Sequence, residues 1–402
     1  MSILFSSLNI GNVPVKNRFV QSATYEVMAS PTGEVTEKLI RRYQRLARNE
    51  VGLIIPGYMF VHQSGKAVPL QTGIHDDRMI PGLKNLAEAV HQEGGRIFFQ
   101  LAHSGRQTMK ALTGSQPLGP SDNGRDPQYF VKAKAMSILE IKESIQAFGT
   151  AAGRAIAAGA DGIQLHAAHG YLINQFLSPF FNLRQDDYGG TDENRFRFLK
   201  EVIIEVRKVM PEGMPLIVKL NVNDHTPKSG MTPALAVKYG KWLYETGING
   251  IEVSAGTIFY SVFNMCRGKV PVEELVKGMP WWKKSLGRAA LKKMAGQFDM
   301  AEGYNVETGR MVKTVIDGIP LLTVGGLRRL SHMQELVENG LTDFISMSRP
   351  FIREPKLVVD FKEGKKDIAA CESCNRCLAA TTLNMPVRCY THGLEGKDDT
   401  ED

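Results

Sequence analysis

Residues 162–179 read Gly162-Ile163-Gln164-Leu165-His166-Ala167-Ala168-His169-Gly170-Tyr171-Leu172-Ile173-Asn174-Gln175-Phe176-Leu177-Ser178-Pro179. The stretch follows Ala158-Gly159-Ala160-Asp161 and opens as a short apolar run, the pattern of a buried parallel strand. It then stops being apolar. Two histidines three positions apart, and a tyrosine two further on, stand where the strand must end. In a barrel of parallel strands the chemistry sits at the C-terminal strand ends. Neutral imidazoles at His166 and His169 offer two N–H donors to one oxygen, and Tyr171 adds a weakly acidic O–H beside them. That set suits a substrate carbonyl whose neighbouring carbon takes up a proton. The competing readings are a structural histidine at a strand end and metal ligation by the pair. A catalytic zinc needs a third ligand, and residues 166–171 hold no Asp, Glu or Cys.

Outward from this stretch a strand–helix rhythm repeats. Apolar strand candidates fall at 19–22, 51–56, 96–101, 162–167, 216–221, 250–255, 320–325 and 343–349. Segments of helical period lie between them: 36–49, with Leu39, Ile40, Tyr43, Leu46 and Ala47 on one face and Thr36 as N-cap, then 141–158 and 194–209. Alternating strands and helices, with strands apolar on both faces, mean a parallel sheet. Eight such units over residues 1–360 predict an α/β fold of the (β/α)8 TIM-barrel type. No Gly-x-Gly-x-x-Gly follows any strand, which argues against a dinucleotide-binding Rossmann unit.

The 402 residues are 43% hydrophobic and 23% charged, an ordinary globular composition. No run approaches the roughly 20 apolar residues of a membrane span, and Met1-Ser2-Ile3-Leu4-Phe5 does not open an export signal. A cytoplasmic protein without a membrane partner is expected. The net charge of +7 is scattered, with no basic helix or aromatic-interleaved patch, so no nucleic-acid partner is expected either. The positive field suits an anionic cofactor or substrate.

Other strand ends also carry polar groups. Ser22-Ala23-Thr24-Tyr25 ends the first, Gly57-Tyr58 follows the second, Gln100 closes the third, and Lys219 lies within the fifth. A lysine inside a barrel is costly unless paired. Its partner is either a barrel carboxylate or a delocalised anion such as a reduced flavin ring. Gly325-Gly326 and Ser348-Arg349 end the last two strands, where barrels often hold phosphate.

A long insertion, from Gly256 to about Glu302, follows strand six and holds Trp281 and Trp282, read as lining a substrate mouth or pinning the insertion to the barrel. Residues 360–367 are charged and linker-like. Beyond them, a Cys-rich extension at 361–394 carries Cys371, Cys374, Cys377 and Cys389, a C-x2-C-x2-C-x11-C spacing able to hold zinc or a four-iron cluster. Residues 395–402 form an acidic tail.

Taken together, the chain resembles the old yellow enzyme family of flavin-dependent oxidoreductases over about residues 1–360. The resemblance rests on Asn17-Arg18-Phe19-Val20, Gly52-Leu53-Ile54-Ile55, Gln100-Leu101-Ala102-His103-Ser104-Gly105-Arg106, the central stretch, Arg184-Gln185-Asp186-Asp187-Tyr188-Gly189-Gly190 and Asn194-Arg195. The cysteine segment is similar to the iron–sulfur motif of the larger branch, which includes 2,4-dienoyl-CoA reductase and trimethylamine dehydrogenase. The resemblance implies FMN reduced by NADH or NADPH, with hydride passing to the β-carbon of an α,β-unsaturated carbonyl or thioester. Carried over, His166 and His169 hold the substrate oxygen and Tyr171 protonates the α-carbon. Ser22, Ala23, Thr24, Tyr25, Tyr58, Gln100 and Lys219 contact the flavin ring. Gly325, Gly326, Ser348 and Arg349 hold its phosphate.

The chain departs from the family at Ala23-Thr24-Tyr25, where proline, a small residue and Cys or Thr are common, at Lys219 for arginine, and at Ser348 for glycine. The larger branch continues into FAD- and pyridine-nucleotide-binding domains. The cysteine site in this chain is therefore expected either to take electrons from a separate donor protein or to be structural. A homo-oligomer is also expected. The alternative activity is amine oxidation of the trimethylamine dehydrogenase type, in which the first histidine position is tyrosine.

Overall fold

Eight parallel strands close into a ring in this computed structural model, which describes residues 2–126 and 130–395. They are β1 (Phe19–Gln21), β2 (Leu53–Ile54), β3 (Arg96–Ala102), β4 (Gly162–Ala167), β5 (Leu216–Asn221), β6 (Gly250–Ser254), β7 (Leu321–Val324) and β8 (Phe344–Met347). Each pairs in parallel with the next, and Ile345 opposite Phe19 joins β8 to β1. This is the (β/α)8 barrel expected, and all eight strands overlap the apolar runs that mark them.

The helices of the first barrel units are α1 (Glu37–Arg48), α2 (Ile80–Gln92), α3 (Ile138–Ala157), α4 (Asp192–Arg207) and α5 (Pro233–Glu245). Polar side chains set their starts. Thr36, Thr191 and Thr232 accept from backbone N–H groups of the first turn, and Ser137 with Glu140 forms a reciprocal capping box. That box starts α3 three residues ahead of the apolar period.

Strand alternation then sorts the barrel interior. A hairpin, Leu8–Ile10 against Val13–Val15, sets Ile10 and Val15 against Val20, Leu53, Phe98, Ile217, Leu322 and Phe344, an apolar plug. Two residues along from Ile217 comes Lys219, and two along from Phe98 comes Gln100. The interior thus turns polar toward the C-terminal strand ends.

After β6 the chain runs through a kinked helix at Ile258–Met265, then α6 (Val272–Lys277) and α7 (Lys284–Met294), before α8 (Val306–Lys313) resumes the barrel. Trp281 is 84% exposed and Trp282 63%, so neither pins the insertion to the barrel. The charged residues 360–367 are not a free linker: α9 (Leu330–Glu338) is followed by α10 (Leu357–Lys362), and Lys366 pairs with Glu354 and Asp360. Within the cysteine segment, α11 (Arg376–Thr382) packs on α6. The acidic tail from 396 onward lies outside the described residues. Among the described residues no helix is long and apolar enough to cross a membrane.

Candidate active site

The turn after β4 presents His166, His169 and Tyr171 together. The two imidazoles stand edge to face at 5.1 Å, and His166 meets the Tyr171 ring at 4.8 Å. His169 and Gly170 both take left-handed backbone angles, φ 62° and 77°. A left-handed histidine is costly and concentrates at functional sites. Gln107 Nε2 and the Ile258 N–H both donate to its carbonyl, at 2.7 and 3.1 Å, which holds the turn.

Both imidazoles are neutral at ordinary pH. Burial holds His166 well below its usual pKa, helped by His169 and Lys219; burial and then Lys219 do the same to His169. The Ala168 N–H donates to His166 Nδ1 at 3.3 Å, so Nε2–H is that ring's one donor. His169 Nε2 lies 2.7 Å from Ser254 Oγ at the end of β6.

Below these groups a polar chain crosses the barrel. Gln100 Nε2 donates to Gln164 Oε1 at 2.5 Å, and Gln164 Nε2 to Glu252 Oε2 at 2.9 Å. Glu252 Oε2 lies 3.4 Å from Lys219 Nζ, which donates to Ser22 Oγ at 2.8 Å. Lys219 thus has its barrel carboxylate, one of the two partners open at the sequence level.

The remaining expected residues sit around this chain. Thr24 Oγ1 lies 2.6 Å from Ser348 Oγ, bringing the exits of β1 and β8 together. Ala23 packs at the edge of the apolar plug. Tyr58 stands between Tyr25, at 6.4 Å, and Tyr171, at 5.0 Å. Gly325 and Gly326 follow β7 with φ 152° and 70°, and a Cβ on Gly326 would stand 2.5 Å from the Ala301 carbonyl oxygen. Arg349 reaches sideways: its Nη1 donates to the Arg267 carbonyl at 2.9 Å and to Asn375 Oδ1 at 2.6 Å.

These residues fit FMN. Among the described residues, Gln100 Oε1, Gln21 Oε1 and Glu252 Oε1 are buried acceptors without a donor, and Lys219 is a buried donor among them. A flavin ring offers N–H and carbonyl groups to match both kinds. The Gly325-Gly326 backbone and Arg349 suit a phosphate.

Cys371, Cys374, Cys377 and Cys389 line one small cavity with Arg349 and Arg353. Burial pushes the Cys377 thiol up to about 12, against the pull of Arg349. Among the described residues no three His, Cys, Asp or Glu side chains converge into an ion-holding group, so the expected metal ligation is not seen in this arrangement. Asn375, left-handed at φ 57°, ties the cysteine loop down by donating to the carbonyls of Cys266 and Lys269 at 2.9 and 3.1 Å.

Several of these residues went unassigned in the sequence. Glu252 carried a readable signal, an acid within an otherwise apolar strand. Ser254, Gln164 and Asn375 carried none, because their roles come from partners remote in the chain.

The family profile described as NADH:flavin oxidoreductase / NADH oxidase matches residues 3–274, more than half of the chain. The chain belongs to that family. It is 34% identical over 402 residues to an NADH oxidase of Thermoanaerobacter brockii, covering 98% of this chain and 56% of the relative. An NADPH dehydrogenase of Bacillus subtilis (strain 168) is 34% identical over 353 residues, covering 88% and 92%. A solved 2-naphthoyl-CoA reductase in complex with 2-naphthoyl-CoA superposes with TM-score 0.84 at 25% identity, over 96% of this chain and 56% of that one. The chain thus spans about half the length of some curated relatives and nearly all of others. Membership in a flavin oxidoreductase family accords with the fit of the barrel to FMN.

Proposed function

We propose that this chain is an FMN-dependent ene-reductase, using NADH or NADPH to saturate the double bond of an α,β-unsaturated carbonyl compound or thioester. One observation carries the reading: two neutral histidines and a tyrosine converge where β4 leaves the barrel. When bound, FMN supplies the hydride that the β-carbon receives. His166, through Nε2–H, holds the carbonyl oxygen together with His169. Their hydrogen bonds strengthen as that oxygen becomes an enolate. For His169 to donate from Nδ1, Ser254 must donate its hydroxyl proton to Nε2. Tyr171 gives its proton to the α-carbon. Lys219 and Gln100 hold the flavin ring, and Gly325, Gly326, Ser348 and Arg349 its phosphate.

The thioester class is supported by the bound acyl-CoA of the solved relative, and the nicotinamide by the names of the curated ones. We extend the proposal to a four-iron cluster, or zinc, at Cys371, Cys374, Cys377 and Cys389. Support comes from the ligand-like spacing and from all four cysteines lining one cavity.

The test is anaerobic: FMN-loaded protein is given NADH or NADPH with a cyclic enone or an enoyl thioester and, in a separate assay, trimethylamine with an artificial electron acceptor in place of the nicotinamide. Saturation of either alkene is expected. Amine oxidation without alkene reduction would move the chain to the amine dehydrogenases.

A further inference from the structure

Tyr58 follows β2 with its backbone held from two sides. The Gly57 N–H donates to Glu26 Oε1 at 2.6 Å, and Gln71 Nε2 donates to the Tyr58 carbonyl at 2.9 Å. The turn is tight: a Cβ on Gly57 would stand 2.3 Å from Glu26 Oε2. This anchoring lays the Tyr58 ring over Tyr171, centroids 5.0 Å apart and planes tilted by 36°. Both rings meet His166 edge-on, at 5.8 and 4.8 Å. The three form a closed aromatic triangle at the mouth.

The surrounding charges give the pair a direction. Tyr58 faces Tyr171, Tyr25 and Glu26; Tyr171 faces Tyr58 and His166, and behind His166 stand His169 and Lys219. Burial, followed by Tyr171, Tyr25 and Glu26, pushes the Tyr58 hydroxyl well above the usual tyrosine range. Tyr58 therefore keeps its proton at ordinary pH.

We infer that Tyr58 is a positioning residue for the proton transfer, holding the Tyr171 ring and donating its O–H to the Tyr171 oxygen as that oxygen loses its proton. The inference rests on the alkene reduction proposed above. In the step, the Tyr171 O–H bond breaks and a C–H bond forms at the substrate α-carbon. The enolate's negative charge ends on Tyr171 Oη, where the Tyr58 O–H meets it. Tyr58 stays protonated throughout, and Tyr171 recovers its proton from water. A hydrogen bond to a charged oxygen is among the stronger kinds, so Tyr58 makes Tyr171 the better acid.

The test compares wild type with Tyr58→Phe, which keeps the ring and removes the donor. Tyrosinate ultraviolet absorbance is titrated with pH, and Tyr171→Phe in each background identifies the Tyr171 signal. That ionisation is expected to move to higher pH in Tyr58→Phe. In single-turnover oxidation of reduced holoenzyme by a cyclic enone, normalised to bound FMN, Tyr58→Phe is expected to slow protonation about tenfold or more. Its alkaline limb is expected to move upward, with no further loss when added to Tyr171→Phe. An unmoved Tyr171 ionisation, or full additivity of the two substitutions, overturns the inference. Absence of enone oxidation in wild type overturns the proposed function alone, because the tyrosinate titration needs no turnover.

Discussion

Ser254 Oγ lies 2.7 Å from Nε2 of His169, joining the end of β6 to the turn after β4. A neutral imidazole has one donor, and its neighbour decides which nitrogen carries it. Ser254 therefore governs whether His169 presents an N–H to the substrate oxygen. Ser254→Ala is expected to weaken binding of phenols, which mimic the enolate, about tenfold (a single hydrogen bond to a charged group). Titration of the flavin absorbance with a phenol checks this.

A second prediction concerns Lys219 and Glu252, which lie 3.4 Å apart with side chains 3% and 0% exposed. Removing one partner leaves the other buried without compensation. Glu252→Gln is expected to destabilise the FMN-free protein by about 3 kcal/mol, read as a lowered denaturation midpoint in urea.

The depressed histidines fix the sign of a pH effect. His166 and His169 are held well below 6.5, and His103 is pushed down to about 3, burial being the main cause in each. Below pH 6.5 the unfolded chain takes up protons that these folded residues refuse, so their contribution to stability is lost as pH falls. The buried carboxyls of Glu26 and Asp224 are shifted up and act in the opposite sense near their own range. A difference measurement isolates one histidine. Between pH 6.5 and 5, His169→Asn is expected to gain up to about 2 kcal/mol relative to wild type, measured by urea unfolding at both values.

For the cysteine segment, protein purified without air is expected to carry about four irons per chain, or about one zinc, counted on one sample. Cys374→Ser is expected to lower that count. A wild-type sample with neither metal contradicts ligation at this cavity.

The strands were legible because a parallel barrel buries both faces of each one, leaving apolar runs such as 216–221 in plain view. Thr36 was legible as a cap because capping is local; Ser137 with Glu140 was equally local and marks the true start of α3. The convergence of His166, His169 and Tyr171 could be read because all lie on one turn. What could not be read depends on closure of the ring. Glu252 meets Lys219 only once β5 and β6 lie side by side, and Ser254 meets His169 only across the barrel mouth. Arg349, expected to reach a phosphate, also bonds Asn375 of the cysteine loop, a link between residues 26 positions apart that no local pattern announces.

The central claim is that Tyr171 protonates the substrate carbon. It is tested most directly by following both half-reactions of Tyr171→Phe separately, in rapid-mixing experiments without oxygen. Flavin reduction by NADH or NADPH is expected to proceed close to the wild-type rate, while oxidation of the reduced protein by an enone slows about a hundredfold or more. Equal loss in both half-reactions, or undiminished enone reduction, would contradict the account.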